Sequence, residues 1–302
     1  MIMYKALYVA LVFCLMLTGC FQLKSAAPEN EPPVALEPLD ASGSGEADAE
    51  PPNISDNGAN VDEPEGPLTV TVTIPEGYTL ARIGMTLEDR GLFTAQEFIR
   101  AAQDGDFTSF PLIVEQETES NRCFTLEGYL FPDTYEFYAS SAPEAVISKI
   151  LVHTEQMITQ ELREEILNSG YTVDEIITIA SIIQKEALTK DSMLNISSVL
   201  HNRLSVGMQL QCDVTIAYVE GAVKPFITGD TNRYNDDYNT YKCPALPAGP
   251  ICNPGIDAIK AALRPADTQY LYFVTDQDLN FYYSETWEEH VENVGAAMPD
   301  SG

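Results

Sequence analysis

The stretch Thr172-Val-Asp-Glu-Ile-Ile-Thr-Ile-Ala-Ser-Ile-Ile-Gln-Lys-Glu186 decides how the folded part of this chain is read. Thr172 and Glu175 form a capping-box signature, in which the hydroxyl of the first accepts from the amide of the second and the carboxylate reaches back to the amide of the first. At about 100° per residue, Ile179, Ile182 and Ile183 fall within roughly 60° of Glu186, whereas Gln184 and Lys185 point elsewhere. The spacing predicts a core helix whose apolar face ends in a carboxyl group. Among isoleucines a carboxyl loses solvation, so its pKa rises and it holds a proton near neutral pH, as a general acid must. The same pattern also suits a structural carboxylate satisfied by an arginine or a backbone donor.

Outward from this helix the chain reads as α+β. Thr69 to Ile74 alternates threonine with apolar residues and predicts a strand closed by Pro75-Glu-Gly77. Leu80, Ile83 and Leu87 mark a first helix, and the capping box Thr94-Ala-Gln-Glu97 opens a second with Phe98 and Ala101 inward. Downstream, one helix is expected near Ala142 to Ser169 and another from about Ser192 to Leu204, stopped by Gly207. Asn253-Pro254 reads as an N-cap followed by proline at the first helical position, opening a helix that Pro265 ends. Tyr270 to Thr275 and Asn280 to Tyr283 predict a strand pair, and a last short helix carries Trp287 and His290. Strands and helices are segregated, which argues for α+β over a doubly wound sheet.

The first 67 residues contribute little to a core. Residues 1–19 carry one lysine and an apolar run from Ala6 to Leu17, too short for a membrane span and suited to a signal peptide. Leu17-Thr-Gly-Cys20 resembles a lipoprotein lipobox, which predicts lipidation at Cys20; the alternative is a single uncleaved N-terminal anchor helix. Either way the bulk of the chain is expected on the extracytoplasmic face of a cell membrane. Residues 20–67 are rich in Pro, Ala, Ser, Gly, Asp and Glu, and so predict an acidic, disordered tether. In the whole chain of 302 residues, 46 Asp and Glu stand against 16 Lys and Arg, a formal net charge of −30. The phosphate-neutralising attraction that drives nucleic-acid binding is absent, and no nucleic-acid partner is expected.

Six cysteines include Cys14 and Cys20, leaving Cys123, Cys212, Cys243 and Cys252. There is no Cys-x-x-Cys or His-Glu-x-x-His, and His153, His201 and His290 lie far apart, so neither a metal site nor a cofactor is expected. Cys243 and Cys252 bracket a Pro/Gly-rich loop and are expected to be joined as a disulfide. Cys123 and Cys212 are then either paired or left as free buried thiols.

Four further segments accompany the Ala180-Ser-Ile-Ile-Gln-Lys-Glu186 helix end: Leu126-Glu-Gly-Tyr-Leu-Phe-Pro-Asp-Thr-Tyr135, Asn202-Arg-Leu-Ser-Val-Gly-Met-Gln-Leu-Gln-Cys-Asp-Val-Thr215, Tyr238-Asn-Thr-Tyr241 and Leu246-Pro-Ala-Gly-Pro-Ile-Cys-Asn-Pro-Gly255. Together they resemble the endolytic murein transglycosylases, the MltG or YceG-like family, from about Leu68 to about Val294. Many relatives carry a second glutamate where this chain has Gln184, which leaves Glu186 as the acid/base. The resemblance implies a LysM-like strand-helix-helix subdomain at 68–118 and a mixed α+β catalytic domain at 119–296. It implies cleavage of the bond from N-acetylmuramic acid to N-acetylglucosamine within peptidoglycan strands, with 1,6-anhydro ends and termination of nascent strands. Peptidoglycan strands, the membrane and peptidoglycan synthases are the implied partners.

Gln211, Asp213, Thr215, Tyr238, Asn239, Thr240, Tyr241 and Asn253 are the candidate substrate-binding residues. Asp213 has three readings: stabilising oxocarbenium charge, hydrogen-bonding a sugar hydroxyl, or capping a helix. Tyr238 to Tyr241 offer amide, hydroxyl and aromatic faces suited to N-acetyl sugars, or a turn whose tyrosines pack. Glu127 and Asp133 are either cleft residues or corners of the core. Two other function classes compete: a non-catalytic glycan-binding lipoprotein, and a muramidase using Glu186 with Asp213 and water.

Overall fold

The first strand of the described residues is β1 (Thr69–Thr73), from which Val72 packs inward, as does Ile74 just after it. The computed structural model describes residues 68–116 and 121–298. The expected signal segment, the lipobox Cys20 and the tether lie outside the described residues.

Two helices follow, α1 (Leu80–Asp89) and α2 (Ala95–Asp104), each with a threonine N-cap and the second with the full capping box. After a one-turn helix, α3 (Pro111–Val114), the chain reaches β2 (Thr134–Tyr138). β2 pairs antiparallel with β1, Thr69 opposite Tyr138 and Thr73 opposite Thr134. Strand-helix-helix is thus completed by a second strand from far along the chain. Val72, Tyr135 and Phe137 bury one face of this pair in the same core that takes the inward residues of α1 and α2.

The long helix expected at 142–169 is two helices, α4 (Pro143–Met157) and α5 (Gln160–Ser169). The break is chemical: Thr159 takes an extended conformation and its side chain accepts from the Leu162 amide, starting a new helix where the old one ends. Gly170 then closes α5 with φ of 88°, a left-handed conformation that costs glycine nothing.

The Thr172 stretch forms α6 (Val173–Glu186), and its capping box is present on both sides: the Thr172 hydroxyl accepts from Glu175 N at 3.1 Å, and Glu175 accepts from Thr172 N at 2.7 Å. Asp174 in the first turn accepts from Arg122 and from the Tyr129 hydroxyl, each at 2.5 Å. Beyond that turn Ile176, Ile177, Ile179, Ala180, Ile182 and Ile183 are all buried, so α6 is enclosed on every side until its last residues. α7 (Lys190–Ser205) follows, then α8 (Asp213–Tyr218), which runs on through a π-helical turn at Val219–Val223.

A short helix, α9 (Tyr234–Tyr238), and α10 (Ile256–Leu263) lead to the hairpin β3 (Tyr272–Thr275) and β4 (Phe281–Ser284), and α11 (Trp287–Ala297) packs on that hairpin. The N-cap of α10 is Gly255 and not Asn253, because the Asn253 side chain is committed elsewhere. The result is a mixed α+β fold in which one apolar core extends from β1 to α10.

Candidate active site at the end of the buried helix

Glu186 is the last residue of α6, where the isoleucine sheath opens. It keeps partial solvent access, while the protein around it raises its pKa to about 7, first by desolvation and second by the charge of Asp213. The negative end of the helix dipole acts in the same direction. Among the described residues no donor hydrogen-bonds this carboxyl, so nothing local favours the anion.

Asp213 opens α8 and is exposed beside it, accepting from the Tyr241 hydroxyl at 2.7 Å. Tyr241 is 42% exposed and places its ring at the surface. Gln211 is exposed and left-handed, with φ of 52°; its amide donates to Thr240 O at 3.0 Å. Asn239 shapes the turn that presents Tyr241, its Oδ1 accepting from the Tyr241 amide at 3.0 Å. The structure therefore brings Glu186, Gln211, Asp213 and Tyr241 to one surface.

Four other expected sugar contacts are framework. Tyr238 is 1% exposed, and its hydroxyl accepts from Cys123 N at 3.3 Å. Thr240 is fully buried and accepts from Cys212 N at 2.9 Å, and the equally buried Thr215 meets it at 3.1 Å. The two threonine hydroxyls tie the turn at 239–241 to the loop before α8 because buried polar groups must find partners. Asn253 is also fully buried: its Oδ1 accepts from Leu130 N at 2.7 Å, and its Nδ2 donates to Tyr78 O and to Glu127.

Glu127 is a corner of the core and not a cleft residue. It is 1% exposed and accepts from Leu80 N at the start of α1, from the Tyr218 hydroxyl at 3.1 Å and from Asn253 at 3.1 Å. Burial pushes its pKa up to about 8, against the pull of those donors. Gly128 beside it has φ of 89°, and a Cβ there would meet Pro250 at 2.6 Å and Ile177 at 2.9 Å. Asp133, by contrast, is exposed and pairs with His153 at 2.7 Å.

The segment 248–255 runs alongside α6 toward Glu186. Ile251 N donates to the Ser181 hydroxyl at 3.0 Å, the Cys252 thiol meets Ser181 O, and Gly255 N donates to Gln184 Oε1 at 2.9 Å. Gln184 thus holds a loop. The expected Cys243–Cys252 bridge is absent: both are free buried thiols, and Cys243 Sγ points to the carbonyls of Asp236 and Asp237 while Cys252 points to Ser181. The loop between them is held by backbone and side-chain hydrogen bonds instead. Cys123 and Cys212 are also free and buried.

Arg203 is a residue whose role sequence reasoning missed. Buried near the end of α7, it donates to Leu210 O at 2.7 Å and to Leu271 O at 2.6 Å, so it joins the loop before Asp213 to the start of β3. Its place in the Asn202-Arg203 motif was the available signal. A cavity of about 710 Å³, lined by Asp174, Asp237, Lys242 and Pro244 among others, lies at the opposite end of α6 and does not include Glu186. Among the described residues no three His, Cys, Asp or Glu side chains are grouped to hold a metal ion.

A carboxyl that stays protonated to about pH 7, beside a second carboxylate and an open surface, is equipped to give and recover a proton. The YceG-like family model matches residues 56–296, and the chain belongs to that family. It is similar to the protein named endolytic murein transglycosylase in Streptococcus pneumoniae D39, 33% identical over a 252-residue alignment that covers 77% of this chain and 45% of that relative. The Bacillus subtilis protein of the same name is 32% identical over 225 residues, 72% of this chain and 62% of the relative. The chain thus spans about half the length of the pneumococcal relative. A crystal structure of a yceG-like protein from Listeria monocytogenes superposes with a TM-score of 0.64 at 32% identity, covering 74% of this chain and 76% of that one.

Proposed function

We propose that this chain is an endolytic peptidoglycan lytic transglycosylase, with Glu186 as its single acid/base. The observation that carries the reading is the Glu186 carboxyl, exposed enough to meet a substrate yet raised to about pKa 7. The names of its relatives, endolytic murein transglycosylases, support a murein strand cut internally, and the bond assigned to Glu186 is that from N-acetylmuramic acid to N-acetylglucosamine. In the first step the Glu186 proton passes to the glycosidic oxygen as the bond to the muramic C1 breaks. In the second, the Glu186 carboxylate takes the proton of the same sugar's C6 hydroxyl while that oxygen bonds C1. A 1,6-anhydro end forms, no water is consumed, and the enzyme regains its proton. One carboxyl suffices, unlike the paired carboxylates of ordinary glycoside hydrolysis.

Asp213 lies where its charge can stabilise the oxocarbenium-like transition state, and Tyr241 orients it. Gln211, Asn239 and Tyr241 line the bound strand, and the buried Thr215, Tyr238 and Thr240 hold their loop and turn in place, while Asn253 braces the neighbouring 248–255 segment. The unit β1-α1-α2 with β2 acts as a LysM-like platform beside the catalytic part. The N-terminal region carries a lipidated Cys20 that keeps the enzyme at the outer face of the membrane, beside peptidoglycan synthases whose nascent strands it terminates.

The test is product analysis by mass spectrometry after incubating the protein with uncrosslinked glycan strands. Anhydro ends support the proposal. New reducing ends would identify a muramidase, and no new ends a binding protein.

A further inference from the structure

Trp287 is the only tryptophan in the chain and is 59% exposed at the first turn of α11. A large aromatic ring left at the surface costs apolar exposure, and here the surroundings hold it in a defined orientation. The Tyr272 ring of β3 meets Trp287 edge-on at 5.8 Å, and His290, one turn further along α11, stacks on Tyr272 at 5.1 Å and lies 5.5 Å from Trp287. Burial first, and the nearby Arg203 charge second, lower the His290 pKa, which keeps that imidazole neutral and the cluster aromatic in character. The capping box of Thr286 with Glu289 fixes the start of the helix that carries the tryptophan.

The cluster is continuous with the candidate active site. Arg203 stands 5.4 Å from the centre of the Tyr272 ring and donates to the carbonyl of Leu271, the residue before it. The same guanidinium donates to Leu210 O and reaches Gln211 Oε1 at 3.5 Å, two residues before Asp213. One buried cation therefore sets the aromatic cluster and the Gln211–Asp213 loop in fixed relation. A pyranose ring has an apolar face of C–H groups that packs against an aromatic ring, and polar hydroxyls at its edge. We propose that Trp287, braced by Tyr272 and His290, is a stacking subsite for a sugar ring of the glycan strand at a distance from the bond being cut. The proposal rests on the reading that the substrate is a glycan, and it explains how an endolytic enzyme grips a strand on one side of the scissile bond.

Because Trp287 is the sole tryptophan, its fluorescence reports this subsite directly. Full-length Glu186→Gln protein, which binds without cutting, is titrated with soluble N-acetylglucosamine oligomers and then with uncrosslinked peptidoglycan strands. Emission is expected to shift to the blue, and acrylamide quenching to fall, along the same saturation curve as binding measured by co-sedimentation. Trp287→Ala is expected to weaken strand binding about tenfold, the scale of one aromatic contact. Trp287→Phe, which retains a ring, is expected to keep most of the affinity and so separates lost stacking from a lost fold. Unchanged emission at saturating strand, or full affinity in Trp287→Ala, overturns the subsite, as does an equal shift with stem peptide alone. Emission that shifts while wild-type protein yields no anhydro ends leaves the subsite standing and removes the lytic reading instead.

Discussion

Glu127 and Glu186 are both raised by desolvation, to about pKa 8 and about 7, and their surroundings put them to different uses. Glu127 collects donors from three separate parts of the chain, the Leu80 amide, the Tyr218 hydroxyl and the Asn253 amide group, and is sealed from water. Glu186 has solvent on one side and, among the described residues, no donor. A buried carboxyl with saturated lone pairs is a joint, because a substrate cannot reach its proton. A partly exposed one with no partner has a proton to give. A raised pKa therefore does not mark a catalytic residue until access and partners are known.

The largest effect expected from breaking this comparison is at Glu186. Glu186→Gln should lower strand cleavage by about 10²–10⁴ while the thermal midpoint stays close to wild type. Rate and melting measured on the same preparation check both halves, and an active variant with unchanged product would end the assignment. Glu127→Ala should show the opposite pattern. It leaves three buried donors without an acceptor, each worth about 1–3 kcal/mol, and so should destabilise by roughly 3 kcal/mol or more in denaturant titration.

pH sharpens the contrast further. Between the unfolded value of 4.5 and the folded value of about 8, native Glu127 binds more protons than the unfolded chain does. Stability contributed by this residue is therefore greatest at acid pH and declines as pH rises through that window. Glu127→Gln should flatten the decline in urea midpoints. For Glu186 the readout is rate: kcat/KM should fall as pH climbs through about 7, where the acid is lost. Asp213→Asn removes the charge that helps raise the Glu186 pKa, so that falling limb should move to lower pH in a pH–rate profile. An unmoved limb would show that burial alone sets the value.

The smallest effect is expected at Gln184→Ala. The variant loses the bond to Gly255 N, worth about 0.5–1.5 kcal/mol, and keeps most of its activity. A loss matching that of Glu186→Gln would place the proton-transfer group on the wrong side of the helix.

The sequence by itself determined the elements that are stabilised locally. The capping boxes of α2 and α6, the strand at Thr69, the hairpin near Asp276 and the carboxyl at the end of an isoleucine face are each written in a few adjacent residues. Their periods and caps act over one or two helical turns. Only the tertiary structure decided the rest. Tyr238 and Tyr241 lie three residues apart in one tetrapeptide, yet one is in the core and the other at the surface. Asn253 has the look of an N-cap, but Leu130, Tyr78 and Glu127 claim its side chain from distant positions. Cys243 and Cys252 bracket a short loop, but hydrogen bonding turns their sulfurs toward different carbonyls. A side chain's use depends on which remote donors and acceptors the fold delivers to it, and those pairings have no period along the chain.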